Sequence, residues 1–388
     1  MKSGKFRVIH SCSIWLLQTQ TWIYTQVKYL PDAAEVHVVC ERTVNLDQFS
    51  VPNIHCQKST SLLQFVWEKA VRKIYSPHYR GYLKAVANKT SARILHSHFG
   101  PLGWLETEVA RELKISHVVT FYGYDVKMLP RRDDRWLSRY RELFESADLF
   151  LCEGPHMARA IIELGCPEQK VKVHHLGVEI DGIAYKPRCW RDGEPLRVLI
   201  AAGFREKKGI PYALQALAQL QRDLPLEITI IGDADPEEVS KSEKERILEI
   251  IEASGLKSKT RLLGYQPYSK LFQEAYNHHI FISPSVTAAN GDTEGGAPVT
   301  LIEMMATGMP VISTLHCDIP EVVQYGVKDW LVEERDVPGL VDRLRWLVQH
   351  ADKWPPLLAA GRRHVELEYD AADQGRKLVG IYQNLMKQ

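Results

Sequence analysis

The stretch from Phe281 to Val311, FISPSVTAANGDTEGGAPVTLIEMMATGMPV, constrains the fold more than any other part of the chain. An apolar run gives way to a long polar loop with glycines, a helix opening near Pro298, and Gly308 stopping that helix before a second apolar run. Strand, helix and strand in that order predict parallel neighbours, which need a crossover between them. The loop holds Glu294 and the expected first turn of the helix holds Glu303. Free main-chain N–H groups at a helix start suit an anion, and acidic side chains suit vicinal hydroxyls, so one turn can hold both halves of a sugar nucleotide. The plainer alternative is that Glu303 only complements the dipole of its own helix.

The strand-then-helix order recurs along the chain. Residues 6–13, 36–40, 93–98, 196–202 and 227–232 read as strands separated by helical material, which predicts an α/β fold with doubly wound parallel sheets. At 388 residues the chain is long for one core and predicts two domains. Asp181 to Pro195 is polar and carries Gly182, Pro187 and Gly193, so the linker is expected there, dividing 1–185 from 186–369.

Open α/β sheets place ligands at the carboxyl ends of their strands. His96-Ser97-His98 ends one strand, and the run from His117 to Asp125 ends the next. His98 is read either as a ligand on the acceptor side or as a buried histidine bonded to backbone. Neither histidine pair reads as a metal site. Gly203-Phe204-Arg205-Glu206-Lys207-Lys208-Gly209 lies between a strand and a helix, where cations can clamp a diphosphate; the alternative is a charged surface loop. Asp233-Ala234-Asp235 has a metal-binding look, but so short a pattern arises easily by chance.

A composition of 45% hydrophobic and 25% charged residues fits a globular protein, and a net charge of +1 argues against a general nucleic-acid binder. Residues 1–185 carry 24 Lys and Arg against 19 Asp and Glu, whereas the remainder carries 25 against 29. Within the basic half, Lys69, Arg72, Lys73, Arg80, Lys84 and Lys89 interleave with Phe65, Trp67, Tyr75, Tyr79 and Tyr82. Lys127, Arg131, Arg132, Arg135, Arg139 and Arg141 similarly surround Trp136 and Tyr140. Peripheral contact with an anionic membrane is one reading of these clusters, and two solvated helices with buried aromatics the other. Seven scattered cysteines without metal-ligand spacing are expected to be reduced thiols. The first residues read as a strand, not a signal peptide, and no stretch reaches the roughly 20 apolar residues of a spanning helix.

Ser283-Pro284-Ser285, Glu294-Gly295, Pro298, Glu303, Met305-Ala306, Gly308 and Pro310-Val311 together resemble the donor signature of the retaining glycosyltransferases of family 4, GT-B type. Glu294 and Glu303 are one residue further apart than is usual in that family. Arg205 and Lys208-Gly209 resemble the family's phosphate loop, with Arg205 closer to the lysine than usual. Phe121-Tyr122-Gly123-Tyr124-Asp125 resembles a motif in which the family has histidine where Tyr122 stands, and Thr19-Gln20-Thr21-Trp22-Ile23 resembles the first loop of exopolysaccharide and lipopolysaccharide members. Thr19 or Thr21 serves equally well as a helix cap.

The resemblance implies two Rossmann-like domains facing across a cleft, the acceptor on the first and the donor on the second, with a helix at about 370–388 returning to the first. It implies metal-independent, retaining transfer from a UDP- or GDP-sugar to a glycan or lipid-linked glycan, with no other cofactor; a cytoplasmic location is what the reduced thiols suggest, and contact with the inner face of the membrane is one of the two readings of the basic clusters. Arg205, Lys208 and Glu294 would be catalytic. Gly203, Gly264, Tyr265, Ser285, Gly295, Gly296, Ala297, Pro298 and Glu303 would line the donor site. Thr21, His98, Tyr122, Gly123, Asp125, Glu153 and Gly177 would serve the acceptor or sugar. A sugar-nucleotide epimerase, a phosphorylase or a silent sugar-nucleotide-binding protein could share this architecture. A nicotinamide oxidoreductase would need Gly-x-Gly-x-x-Gly after a first strand, and neither half offers it.

Overall fold

In the computed structural model, residues 5–17, 20–59, 77–323 and 330–387 are described. The chain divides into two units, Met1–Gly177 with Ala371–Gln388, and Val178–Asp370. Each is built on one parallel sheet.

The first sheet runs in the order β3 (Ile54–Cys56), β2 (Ala34–Thr43), β1 (Phe6–Trp15), β4 (Ile94–His98), β5 (Ser116–Thr120), β6 (Leu149–Cys152), β7 (Val171–Val173). β1 is central, and its residues Val8 to Cys12 are wholly buried, as expected of a strand covered on both faces. Its side chains alternate. Val8 meets Ile94, Val118, Leu378 and Tyr382 on the face covered by the helix Ala371–Leu385. Ile9 meets Val39, Leu95, Leu83 and Val109 on the face covered by the helices Pro77–Thr90 and Gly100–Leu113. The register pairs His10 with His96, Ser11 with Ser97, and His98 with Thr120. Alternation therefore continues into polar residues at the strand ends: the histidines and Thr120 lie under the last helix, and the two serines face the other way.

The second sheet runs β10 (Thr260–Leu262), β9 (Leu226–Ile231), β8 (Leu196–Ala201), β11 (Ile280–Ser283), β12 (Val311–Thr314), β13 (Leu331–Val332). This is the doubly wound order, with its switch point between β8 and β11; in the first sheet the switch lies between β1 and β4. Apolar helices such as Ile210–Leu220 and Val299–Ala306 complete its core.

The polar stretch expected as a linker belongs instead to the second unit. The chain changes unit between Gly177 and Val178, and Ile183 and Trp190 are core residues. Buried Arg188 explains why polar composition misleads here. Its guanidinium donates to the carbonyl oxygens of Ala275 at 2.8 Å, His278 at 3.0 Å and Thr307 at 3.3 Å, closing the ends of the helices Tyr268–Asn277 and Val299–Ala306. Among the described residues no helix is long and apolar enough to cross a membrane.

Candidate functional site

β8 and β11 are neighbours, so the loops leaving their carboxyl ends lie side by side. Gly209 lets them touch: it has φ +63°, and a Cβ there would come 2.8 Å from the carbonyl carbon of Pro284. The Val286 N–H donates to the Lys207 carbonyl at 2.9 Å, fixing the two loops together. Lys208 Nζ then reaches Glu294 Oε2 at 2.7 Å, while Ser285 Oγ donates to the other oxygen at 2.8 Å. Lys207, which no sequence pattern distinguished from its neighbour, bonds Asp292 at 3.2 Å and the Thr293 carbonyl at 2.9 Å.

These contacts set the charge of the site. Burial alone would raise the Glu294 carboxyl, but Lys208 and Lys207 outweigh it and hold the group at about 2. The loop beneath is held by a second relay that the sequence did not disclose. His316 Nε2 accepts the Glu294 main-chain N–H at 3.1 Å, and its Nδ1 lies 2.6 Å from Glu334, which also accepts the Thr287 N–H. Accepting at Nε2 requires the His316 proton to sit on Nδ1 and donate to Glu334.

Glu303 differs from the expectation. The helix runs Val299–Ala306 and has no acidic residue in its first turn, so Glu303 stands beyond the place where a helix dipole needs a counter-charge. It is buried, and its Oε1 accepts from Tyr268 at 2.6 Å. Burial pushes its carboxyl up to about 7, opposed by that hydroxyl. Gly295, Gly296, Ala297 and Pro298 form the turn between the two glutamates, with φ +80° at Gly295. Tyr265 is half exposed, and its hydroxyl would lie 3.4 Å from a Cβ at Gly203; Gly264 bridges to Gly232.

Arg205 pairs with other carboxylates than Lys208 does. Its guanidinium bonds Asp235 at 2.6 Å and lies 3.3 Å from Glu237, while Asp233 pairs with Lys244 at 2.6 Å. The Asp-x-Asp stretch thus neutralises cations of this unit.

In the first unit the expected residues fall into two groups. Tyr122 and His98 are joined, the hydroxyl 2.6 Å from His98 Nδ1. Burial and then Glu153 raise the Tyr122 hydroxyl well above its ordinary value. Asp125 serves the backbone, accepting the N–H groups of Tyr122 and Gly123 at 3.0 Å and of Gly100 at 2.9 Å. Gly177 has a packing reason, since a Cβ there would lie 2.7 Å from the Ala371 Cα. Thr21 opens the helix Thr21–Lys28, whose cap is Gln20 without a side-chain bond; Thr19 lies outside the described residues.

His98 bonds side chains rather than backbone. With His10 and His96 it brings ring nitrogens within 4.8 Å of one another, close enough for a metal ion. All six nitrogens are already engaged, however: His10 Nδ1 with His98 Nε2, His10 Nε2 and His96 Nδ1 with Tyr382, His96 Nε2 with Thr120, and His98 Nδ1 with Tyr122. A metal would have to displace these bonds. Behind the serines of the opposite face, buried Glu106 accepts from Ser11 and, at 2.5 Å, from Ser97, and burial pushes it up to about 7.

Of the basic clusters, Arg139 lies over Trp104 at 4.6 Å and Trp136 at 4.7 Å, with Tyr124 and Leu137 exposed nearby in sequence. Phe65, Trp67, Lys69, Arg72, Lys73 and Tyr75 lie outside the described residues.

Comparison with known proteins gives a consistent result. Residues 195–350 match the model of glycosyl transferases group 1, and residues 19–181 that of glycosyltransferase family 4. The amylovoran biosynthesis glycosyltransferase of Erwinia amylovora is 34% identical over 305 residues, covering 77% of this chain and 72% of that one. A putative colanic acid biosynthesis glycosyltransferase of Escherichia coli K12 is 30% identical over 329 residues, covering 82% and 78%. Among solved structures, the Anabaena protein HepE in complex with UDP superposes with a TM-score of 0.78 at 15% identity, over 98% of this chain and all of that one.

Proposed function

Because the chain belongs to glycosyltransferase family 4 and has the GT-B fold, we propose that it moves a sugar from a nucleoside diphosphate sugar to a hydroxyl of a glycan or lipid-linked glycan, with retention, in exopolysaccharide assembly. One observation carries this reading: the Lys208–Glu294 pair at the switch point of the second sheet, beside the turn that opens the helix Val299–Ala306. The amylovoran and colanic acid relatives favour the exopolysaccharide setting. HepE, of the same fold, holds UDP, which favours a nucleoside diphosphate as the ligand.

In this mechanism Lys208 exchanges its contact with Glu294 for the diphosphate, and Arg205 leaves Asp235 to join it. The two cations neutralise the leaving group without a metal. As the bond from anomeric carbon to diphosphate breaks, the acceptor oxygen bonds that carbon on the same face, and its proton passes to the departing phosphate oxygen. Glu294, fixed by Ser285 and held ionised, takes the sugar; Glu303 takes the ribose hydroxyls; the main chain around Gly264 and Tyr265 takes the base. The acceptor belongs to the first unit, and the arginines around Trp104 and Trp136 would bring that unit to the anionic inner face of the membrane.

Calorimetric titration in EDTA with UDP and with GDP tests the core of this proposal. Micromolar binding of one of them is expected, weakened at least tenfold by Lys208→Ala. Binding of neither would overturn it. Flotation with anionic vesicles at low salt tests the membrane contact, which fails if the protein stays at the bottom of the gradient.

A further inference from the structure

Residues 284–298 join β11 to the helix Val299–Ala306, and both ends of this loop hang on one carboxylate. At the near end Glu334, just after β13, accepts the Thr287 N–H on Oε2 at 2.8 Å and the Thr287 hydroxyl on Oε1 at 3.1 Å. At the far end His316, just after β12, takes the Glu294 N–H on Nε2 at 3.1 Å and brings its Nδ1 to 2.6 Å from the same Glu334 Oε1. Arg335 closes the clamp, donating to Glu334 at 3.2 Å and to the Thr287 carbonyl.

The direction of this relay is fixed by its ends. A main-chain N–H can only donate, so Nε2 accepts and the imidazole proton sits on Nδ1, aimed at a carboxylate. The Cys317 thiol, 3.2 Å from Nε2, is a weak donor and competes little for that lone pair. Burial would raise the Glu334 carboxyl, but the bonds from His316 and Thr287 outweigh it and hold the group below its ordinary value, so the relay ends on an anion. His316 is 1% exposed, and losing either bond would strand a buried polar group.

Glu294 is therefore held at two places. Lys208 and Ser285 hold its carboxylate, and His316 holds its backbone. These holds differ in what a ligand does to them. When Lys208 turns to a diphosphate, the carboxylate keeps its bond from Ser285 but loses its nearest cation and is repelled by the phosphates. A main chain fixed from β12 and β13 keeps it where a sugar hydroxyl can reach it.

We propose that His316, seated by Glu334 and carrying its proton on Nδ1, is a positioning residue that fixes the Glu294 backbone, so that this carboxylate stays on the donor sugar while Lys208 serves the diphosphate. Glu334 acts through His316 and ties down Thr287 as well. The relay stands on geometry, and its part in transfer rests on the glycosyltransferase reading.

Two substitutions take the relay apart bond by bond. His316→Gln sets an amide oxygen where Nε2 was, keeping an acceptor for the Glu294 N–H and giving up the bond to Glu334. His316→Asn sets an amide N–H where Nδ1 was, keeping the bond to Glu334 and leaving the Glu294 N–H unsatisfied. Transfer of radiolabelled UDP- or GDP-sugar to a bacterial lipid-linked glycan fraction is measured under saturating donor, beside the dissociation constant for UDP or GDP and the melting temperature. His316→Asn should lower kcat about tenfold with nucleotide affinity within about twofold, whereas His316→Gln should keep kcat within about threefold. Equal losses in the two variants, losses that follow melting temperature, or normal transfer by His316→Asn would overturn the positioning role. Nitrogen-15 NMR of histidine-labelled full-length protein, with the His316 signal found by its absence from His316→Gln, should show protonation on Nδ1 and not on Nε2. A proton on Nε2 would overturn the relay itself. Complete absence of transfer by the unaltered protein would remove the glycosyltransferase reading and the positioning role with it, while the tautomer still decides the relay.

Discussion

Two polar clusters occupy equivalent places, each at the switch point of a doubly wound sheet, and they solve burial in opposite ways. In the second unit Glu294 is buried as an anion, with two lysines keeping its carboxyl at about 2. In the first, three histidines are buried, their ring nitrogens engaged by one another and by Tyr382, Thr120 and Tyr122, burial pushing each toward the neutral form, and Glu106 on the other face, bonded to Ser11 and Ser97, is pushed up to about 7. A parallel sheet offers the same socket twice, and the residues at the strand ends decide whether it holds charge or hydroxyls. Charge is what a diphosphate needs as a leaving group, and uncharged donors and acceptors are what sugars need for discrimination.

The contrast breaks most visibly at Lys208. Lys208→Ala should slow transfer about a hundredfold, on the order of 3 kcal/mol of barrier, measured under saturating donor. A rate near normal would remove the lysine from the mechanism and leave the second cluster as structural as Asp125. Next in size is the stability of the first unit. The Glu106 carboxyl is raised in the folded state, so its contribution is complete below the ordinary 4.5 and is lost as pH rises through about 7. The wild type should therefore lose about 3 kcal/mol across that window relative to Glu106→Gln, read as the difference in melting temperature at pH 4.5 and 7.5. Parallel pH profiles would mean that Glu106 is ionised throughout and that the two units do not differ as described. The smallest effect is expected at Glu303, the neutral-leaning acid of the charged unit. With its carboxyl at about 7, affinity for UDP or GDP should rise about threefold between pH 6 and 8 as the group ionises to accept ribose hydroxyls, and Glu303→Gln should flatten the profile. A flat wild-type profile would separate Glu303 from the ribose.

How much of this was legible in the sequence follows the same division. Lys208, Ser285 and Glu294 lie in the loops, and Glu303 on the helix, between strand runs and glycine stops, so local pattern and the family resemblance together brought them forward. Lys207 was passed over because nothing in a lysine pair says which member faces which carboxylate, and the pairing of Arg205 with Asp235 was not legible because spacing along a loop does not give the direction of a side chain. The histidine cluster could not be read. Its members and their partners come from three strands, the loop after β5 and a helix, with Tyr382 and His10 372 residues apart in sequence, and the parallel register and two-residue alternation bring them together. The linker was misjudged for a related reason: composition reports polarity, but Arg188 is polar and buried, its charge spent on helix-end carbonyls.

The helix Ala371–Leu385 gives the first unit its Tyr382, yet the ribosome makes it only after the whole of the second unit. A nascent chain can therefore complete its second sheet while the first still lacks the cover over Val8, Ile94 and Val118. A chain cut short before residue 371 would leave that apolar face open to solvent, because the first unit is completed by residues made after the whole of the second.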